Sequence, residues 1–331
     1  MNEQSTPLTK HIGLLSRSAF KKHESDQHKI LFLLPPNIEF DDFVSPPANI
    51  STIEKNGLQF GSVITDIPLG VISLSAYLKD YLSIDSKCID FNVELNRASS
   101  FEYGSFFEYF KDRCLDIIDE NFKPDYVAIS SLFTPAYQSI IDLANVARIL
   151  YPESMILVGG NLPTSMYHEI LSDSVEVDAI CFGEGEKAFL DLIKSGSKHN
   201  YLNTSSSWVT HEKVESGDCN LTHDFIWDLD EIPFLDYDML DIEGYKLNPT
   251  SSRYSVADKY ETSDFEELEA TAGKDVADEH VDFHSMPIMT SRGCPFKCTF
   301  CASHAAHGRS MRYHSTQRVL EDTKKMVVPG T

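Results

Sequence analysis

Three cysteines near the C-terminal end of the chain are spaced so that they could share one metal centre. They stand at C-x3-C-x2-C in Ser291-Arg292-Gly293-Cys294-Pro295-Phe296-Lys297-Cys298-Thr299-Phe300-Cys301, just after the apolar run Met286 to Met289. Thiolate sulfur is a soft, charged ligand of the kind that holds iron–sulfur clusters. Three thiolates on one tight loop can each take one iron of a cubane cluster, leaving the fourth iron open to a small molecule; a four-cysteine electron-transfer site leaves none. Gly293 lets the backbone approach a cluster, and Pro295 stiffens the loop. Phe300, beside the last cysteine, is placed to shield cluster or ligand from water. Other readings stay open: a zinc site that recruits His304 or His307 as fourth ligand, or three unligated thiols.

The loop resembles the radical S-adenosylmethionine (SAM) superfamily, whose signature is C-x3-C-x-aromatic-C; Cys294, Cys298, Phe300 and Cys301 match it position for position. The resemblance implies that the three cysteines bind a 4Fe–4S cluster. It also implies that SAM chelates the open iron and is cleaved to a 5′-deoxyadenosyl radical. An electron donor such as flavodoxin or ferredoxin would then be a partner.

The elements that must position this loop come earlier. With 331 residues the chain is long enough for two domains, and a hydrophobic fraction of 42% is compatible with a globular fold. The net charge of −23 argues against nucleic acid as a general partner, because phosphate binding requires a basic face. No run of eighteen apolar residues is present, so no membrane span is expected. Residues 1–28 read as a polar, poorly ordered leader without the apolar core of a secretion signal. Seven cysteines, three of them clustered, read as metal chemistry in a reducing cytoplasm rather than a disulfide frame. Cys88, Cys114, Cys181 and Cys219 are scattered and read as structural.

From residue 29 to 195, short apolar runs alternate with helical periodicity five times. The runs are 29–34, 86–91, 125–130, 154–158 and 177–182; the helical stretches are 68–82, 102–120, 135–150, 164–172 and one ending near Lys194. Such alternation predicts an α/β fold: a five-stranded, Rossmann- or flavodoxin-like parallel sheet with helices on both faces. Ligands of such sheets bind at the carboxyl ends of the strands. Pro35-Pro36, Asp90, Asn92, Ser130-Ser131-Leu132, Gly159-Gly160 and Gly183-Glu184-Gly185-Glu186 fall there.

Two of these stretches resemble the cobalamin-binding fold, which carries S-x-L after its third strand and G-G after its fourth. Here Ser130-x-Leu132 is followed, across 133–158, by Gly159-Gly160. The resemblance implies that Ser130 and Leu132 meet the dimethylbenzimidazole tail of cobalamin and that Gly159 and Gly160 make room for its nucleotide loop. Read without it, the glycines are an ordinary strand-to-helix turn and Ser131 a helix cap. The family's D-x-H-x-x-G motif is missing after the first strand: Asp26-Gln27-His28 has Leu31 where Gly is required, and Asp278-Glu279-His280 has Phe283. A cobalt without a histidine ligand follows, as is common in cobalamin-dependent radical SAM enzymes.

Residues 196–285 read as an acidic linker with a small hairpin around Trp208-Val209. Within it Asp228-Leu229-Asp230-Glu231-Ile232-Pro233 resembles the D-L-D-x-L-P segment that bridges the two domains of that family. Residues 286–331 read as the N-terminal fragment of a radical SAM barrel: a strand over 287–291, the cysteine loop, and a helix capped by Ser315 and running to about Met326. A full eight-unit barrel takes about 250 residues, so the expectation is a barrel interrupted early. The resemblance thus implies a radical SAM enzyme, with methyl transfer to an unactivated carbon of an unidentified small molecule as the expected chemistry. A cobalamin-type module with an inactive tail and a zinc-stabilised interaction protein are the alternatives.

Overall fold

The computed structural model describes residues 27–246 and 287–326. The expected leader, the acidic stretch 257–282 and the Asp278-Glu279-His280 motif lie outside the described residues. Strand β1 (His28–Leu34) is followed by helix α1 (Phe40–Val44) and a hairpin of β2 (Thr52–Lys55) and β3 (Leu58–Gly61). Then come α2 (Leu69–Tyr81), β4 (Ile84–Asp90), α3 (Phe91–Arg97), α4 (Phe106–Ile117), β5 (Tyr126–Ser130) and α5 (Tyr137–Leu150). The unit closes with β6 (Met155–Gly159), α6 (Asn161–Ser165), α7 (Tyr167–Asp173), β7 (Ala179–Cys181) and α8 (Glu186–Lys194).

The strands form one sheet in the order β4-β1-β5-β6-β7-β8, where β8 (Trp208–Val209) is antiparallel and the other pairings are parallel. Counting only the parallel strands, the order is the flavodoxin-like 2-1-3-4-5. The inner strands β1, β5, β6 and β7 are largely apolar because both faces are covered, whereas the edge strand β4 carries Asp85, Ser86 and Lys87. Leu31, Leu33, Val127, Ile129, Ile156 and Val158 face the layer of α3, α4 and α5; Ile30, Phe32, Ala128 and Leu157 alternate onto the layer of α2 and α8.

Four sequence expectations change. The sheet has six strands, because Trp208-Val209 pairs with Ile180 and Cys181 instead of forming its own hairpin. Residues 37–67 are not a plain loop but carry α1 and the β2–β3 hairpin. The part of the expected linker up to residue 245 is folded onto the domain: α9 (Lys198–Thr204), α10 (His211–Ser216) and α11 (Ile242–Lys246) are helices, and Ile226, Leu229 and Ile232 are buried in the core. The expected barrel strand 287–291 reduces to β9 (Ser291–Arg292), which pairs antiparallel with β10 (Arg312–Tyr313). Between them lie the cysteine loop and α12 (Ser303–His307); α13 (Thr316–Met326) follows, with the Ser315 hydroxyl accepting from the Arg318 amide as expected for its cap.

The carboxyl end of β4 shows why Asp90 and Asn92 stand there. Asp90 caps α3 by accepting from the Asn92 amide at 2.9 Å. The buried Asn92 side chain accepts from the Asn37 amide at 2.7 Å and donates to the Pro35 carbonyl at 3.1 Å, which ties down the loop that leaves β1. Asn92→Ala strands these buried groups and should destabilise the fold by about 1–3 kcal/mol. The measurement is urea unfolding, where the midpoint should drop at unchanged slope; an unchanged midpoint would show that the β1 loop is held by something else.

Candidate functional site

The carboxyl edge of the sheet carries a charged network that is almost dry. Gly183-Glu184-Gly185-Glu186 leaves β7 and enters α8, so two carboxylates sit at the mouth of the parallel sheet. The two arginines of the β9–β10 pair face them. Arg312 grips Glu184 with both nitrogens, Nη1 to Oε2 at 2.9 Å and Nη2 to Oε1 at 2.6 Å. Arg292 reaches Glu186 Oε1 at 2.6 Å and lies 3.3 Å from Glu184 Oε2. Ser73 of α2 donates to Glu186 at 2.7 Å and accepts from Arg292 at 2.9 Å. His307 Nδ1 lies 2.9 Å from Glu184 Oε1, and Arg312 also donates to the Ile226 carbonyl and packs over the Phe225 ring. The four charged side chains are each at most 5% exposed.

Burial alone would raise the Glu184 carboxyl. Hydrogen bonds from His307 and Arg312, with the charges of Arg292 and Arg312, outweigh it and hold the pKa at about 2. Burial likewise pushes Glu186 up, and the Arg292 charge and hydrogen bond bring it below its usual value. Both carboxylates are therefore ionised at neutral pH and paired with cations, the arrangement in which a buried charge is tolerated.

The network seats the cysteine loop. Arg292 precedes Gly293 and Cys294, and Arg312 follows the loop's return, so both ends are pinned. Gly293 has φ +94°, and a Cβ there would meet the Ser310 carbonyl at 2.2 Å; its close neighbour is the returning backbone of the loop itself. The Cys294 amide donates to the Gly308 carbonyl at 3.1 Å. A second tie comes from the D-L-D segment: Asp230 accepts from the Ser315 amide at 3.0 Å and lies 3.2 Å from His314 Nδ1, while Arg318 donates to the Ile232 carbonyl at 2.6 Å. The segment expected to bridge two regions makes contacts to both.

All three loop cysteines are free thiols, Cys298 exposed and Cys294 and Cys301 partly covered. Hydrogen bonding with Ser303 lowers the Cys301 thiol pKa from its usual value, a shift in the direction of the thiolate that a metal requires. The donor chemistry fits an iron–sulfur cluster, but the thiols have not converged: among the described residues no group of three or more His, Cys, Asp or Glu side chains is arranged to hold a metal ion. Phe300, expected to shield a ligand, is 90% exposed. His307, offered to zinc by the sequence, has one ring nitrogen engaged by Glu184.

The second group of expected site residues lies next to the first. Ser130 and Gly159 are paired in register at the ends of β5 and β6. Gly160 has φ +104°, and a Cβ there would lie 2.2 Å from the Ser131 carbonyl, so what the glycine admits is the β5 loop. The expectation that this position opens room for a ligand is corrected to that extent. Ser131 does not cap a helix through its side chain. Among the described residues its buried hydroxyl and the buried Asn161 Oδ1 have no hydrogen-bond partner, which leaves two unsatisfied polar atoms at the sheet's edge. Leu132, at 55% exposure, and Phe133 beside it present apolar surface there. These orphaned groups and the apolar rim fit a polar-tailed cofactor such as cobalamin. α12, just after Cys301, packs on α6, just after Gly160, so the two candidate sites share a wall. Sequence reading noticed Gly183-Glu184-Gly185-Glu186 as a strand-end motif but missed its partners, since arginines in a loop carry no sign of a carboxylate more than a hundred residues away.

Glu184→Gln removes one charge from a paired, buried set and should destabilise the protein by about 3–5 kcal/mol in urea unfolding. Because the folded pKa is depressed, the ionised carboxylate contributes fully above its ordinary value of 4.5, and the contribution fades as pH falls toward about 2. The stability gap between the parent and Glu184→Gln should therefore narrow below pH 4.5; a gap that stays constant to pH 2 would contradict the ion pairing.

Residues 65–193 match the model of the B12 binding domain. The chain is 28% identical over 207 residues to an uncharacterized methyltransferase of Pyrococcus horikoshii, covering 62% of this chain and 37% of that protein. It is 24% identical over 283 residues to cytidylyl-2-hydroxyethylphosphonate methyltransferase of Streptomyces wedmorensis, covering 78% and 48%. It is also 24% identical over 210 residues to the anaerobic magnesium-protoporphyrin IX monomethyl ester cyclase of Cereibacter sphaeroides, covering 62% and 28%. The chain spans less than half the length of these relatives. The matched segment runs from α2 to nearly the end of α8, so the sheet edge with Ser130, Gly159, Gly160 and Glu184 lies in a region similar to B12 binding domains.

Proposed function

We propose that this chain is the cobalamin-binding-type part of a radical SAM enzyme, with Cys294, Cys298 and Cys301 holding a 4Fe–4S cluster for cleavage of S-adenosylmethionine. The observation that carries the reading is the buried Glu184/Glu186–Arg292/Arg312 network, which sets the three-cysteine loop against the edge where Ser130, Leu132, Gly159 and Gly160 stand. When bound, the cluster supplies the electron that cleaves SAM, and cobalamin supplies the methyl group if methyl transfer follows. The chain's own work is placement. The two arginines fix both ends of the loop, Ser303 lowers the Cys301 pKa, and Ser131 and Asn161 offer unused polar atoms to the cofactor tail. Two relatives named as methyltransferases favour methyl transfer, while the relative named as a cyclase speaks for a different outcome of the same type of chemistry.

The substrate is a small molecule of unassigned class, and flavodoxin or ferredoxin is the proposed electron donor. Among the described residues no helix is long and apolar enough to cross a membrane; a cytoplasmic setting is part of the proposal, since three free thiols on an open loop require reducing surroundings. A second reading, a cobalamin-type module whose loop holds no cluster, has one observation in its favour: the thiols are not gathered around a common centre.

Anaerobic incubation with iron and sulfide separates the two. The first reading expects about four irons per chain, broad visible absorption, and loss of both in Cys298→Ala, whose exposed side chain can be removed without disturbing the fold. Protein that takes up no iron but retains hydroxocobalamin through gel filtration, with the red cobalamin spectrum and no broad cluster absorption, would support the second. A Cys298→Ala protein that binds as much iron as the parent would overturn the first.

A further inference from the structure

A cavity of about 660 Å³ opens at the free edge of the sheet, beyond the carboxyl end of β4 and away from both groups of residues discussed above. It lies between α3, α4 and the segment leading into α11, and its size is in the range of small-ligand sites. None of Ser130, Leu132, Gly159, Gly160 or the loop cysteines lines it.

Its charges are unevenly matched. Arg113 is bound to Glu94 at 2.6 Å, and Arg97 to Asp241 at 2.6 Å. The two guanidiniums in the wall are thus committed to the two outer carboxylates. The third carboxylate, Asp90, is buried and has no cation within ion-pair distance among the described residues; its hydrogen bonds come from Asn92 and, at 2.9 Å, from the Tyr245 hydroxyl. Burial raises its pKa, and the hydrogen bonds oppose the rise without cancelling it. An anionic ligand would meet an acidic surplus here, whereas a cation would supply the charge that Asp90 lacks.

Two further features narrow the ligand. Tyr103, Tyr109 and Tyr245 all stand in the wall, and tyrosine faces attract organic cations. Tyr109 is 2% exposed, and its buried hydroxyl has no hydrogen-bond partner among the described residues. A donor left unused in a buried wall is the residue of a contact to something else.

We propose that this cavity binds a small organic ammonium compound bearing a hydrogen-bond acceptor, its cation set toward Asp90 among the tyrosines and its acceptor taking the Tyr109 hydroxyl. The site is independent of the cobalamin and cluster reading and stands or falls separately from it.

Choline, its uncharged isostere 3,3-dimethyl-1-butanol, and inorganic phosphate are the probes, titrated into the whole chain by calorimetry. Saturable choline binding is expected, with the isostere weaker by about tenfold or more and phosphate without effect. Tyr109→Phe removes an unpartnered hydroxyl, so the free protein should be as stable as the parent or more so, while choline binding weakens by about three- to tenfold. Asp90→Asn should abolish the preference for choline over the isostere. Absence of saturable choline binding, equal binding of the isostere, phosphate binding in its place, or a Tyr109→Phe protein that binds choline like the parent would each overturn the proposal.

Discussion

Two guanidinium groups buried against two carboxylates are the constraint around which the rest is arranged. Taking four charges out of water is expensive, and the expense is offset only when each is paired and hydrogen-bonded in good geometry. Here Arg312 and Glu184 meet through two parallel contacts, Arg292 spans Glu184 and Glu186, and Ser73 completes the set from the opposite helix. Such a network has little freedom to slide. It therefore fixes where β9 and β10 sit on the sheet, and with them the loop that carries Cys294, Cys298 and Cys301.

The position so fixed has chemical sense. The carboxyl edge of a parallel sheet is where its loops, helix N-termini and unused polar atoms gather. On this edge Gly160 lets the β5 loop pass within a carbonyl's reach, Ser131 and Asn161 keep polar atoms without partners, and α6 supports α12. Asp230 and Arg318 add a second fastening on the far side of the loop. A protein with a net charge of −23 has thus placed two of its few arginines where carboxylates would otherwise repel one another in the dark.

Much of the fold was legible because its signal is local. Runs such as Ile30-Leu31-Phe32-Leu33 are apolar at every position, as a strand covered on both faces requires, and five strand-like runs, of which the second, 86–91, is mixed, alternating with helical periodicity leave few topologies. The β2–β3 hairpin and the two-residue β8 were not legible: short strands with mixed composition give no periodicity, and β8 exists only because Ile180 and Cys181 offer it an edge. The cysteines stood out by their spacing, with their proposed role coming from a family resemblance, and the Ser315 cap was legible from its residue type ahead of a helical stretch. Their docking was not, since Arg292 and Arg312 look like ordinary loop cations until the fold brings Glu184 and Glu186 across to them. The part of 196–245 read as linker was misjudged for a similar reason: isolated Ile226, Leu229 and Ile232 become core only once α8 and α9 provide a surface.

Hydrogen exchange over residues 291–313, compared between the parent protein and Glu184→Ala, tests the docking most directly. The account expects the amides of Arg292, Cys294 and Arg312 to be protected in the parent and to exchange freely in the variant, while β1, β5 and β6 stay protected in both. A parent protein whose cysteine loop exchanges as fast as an unfolded chain, or a variant whose loop remains protected, would contradict it.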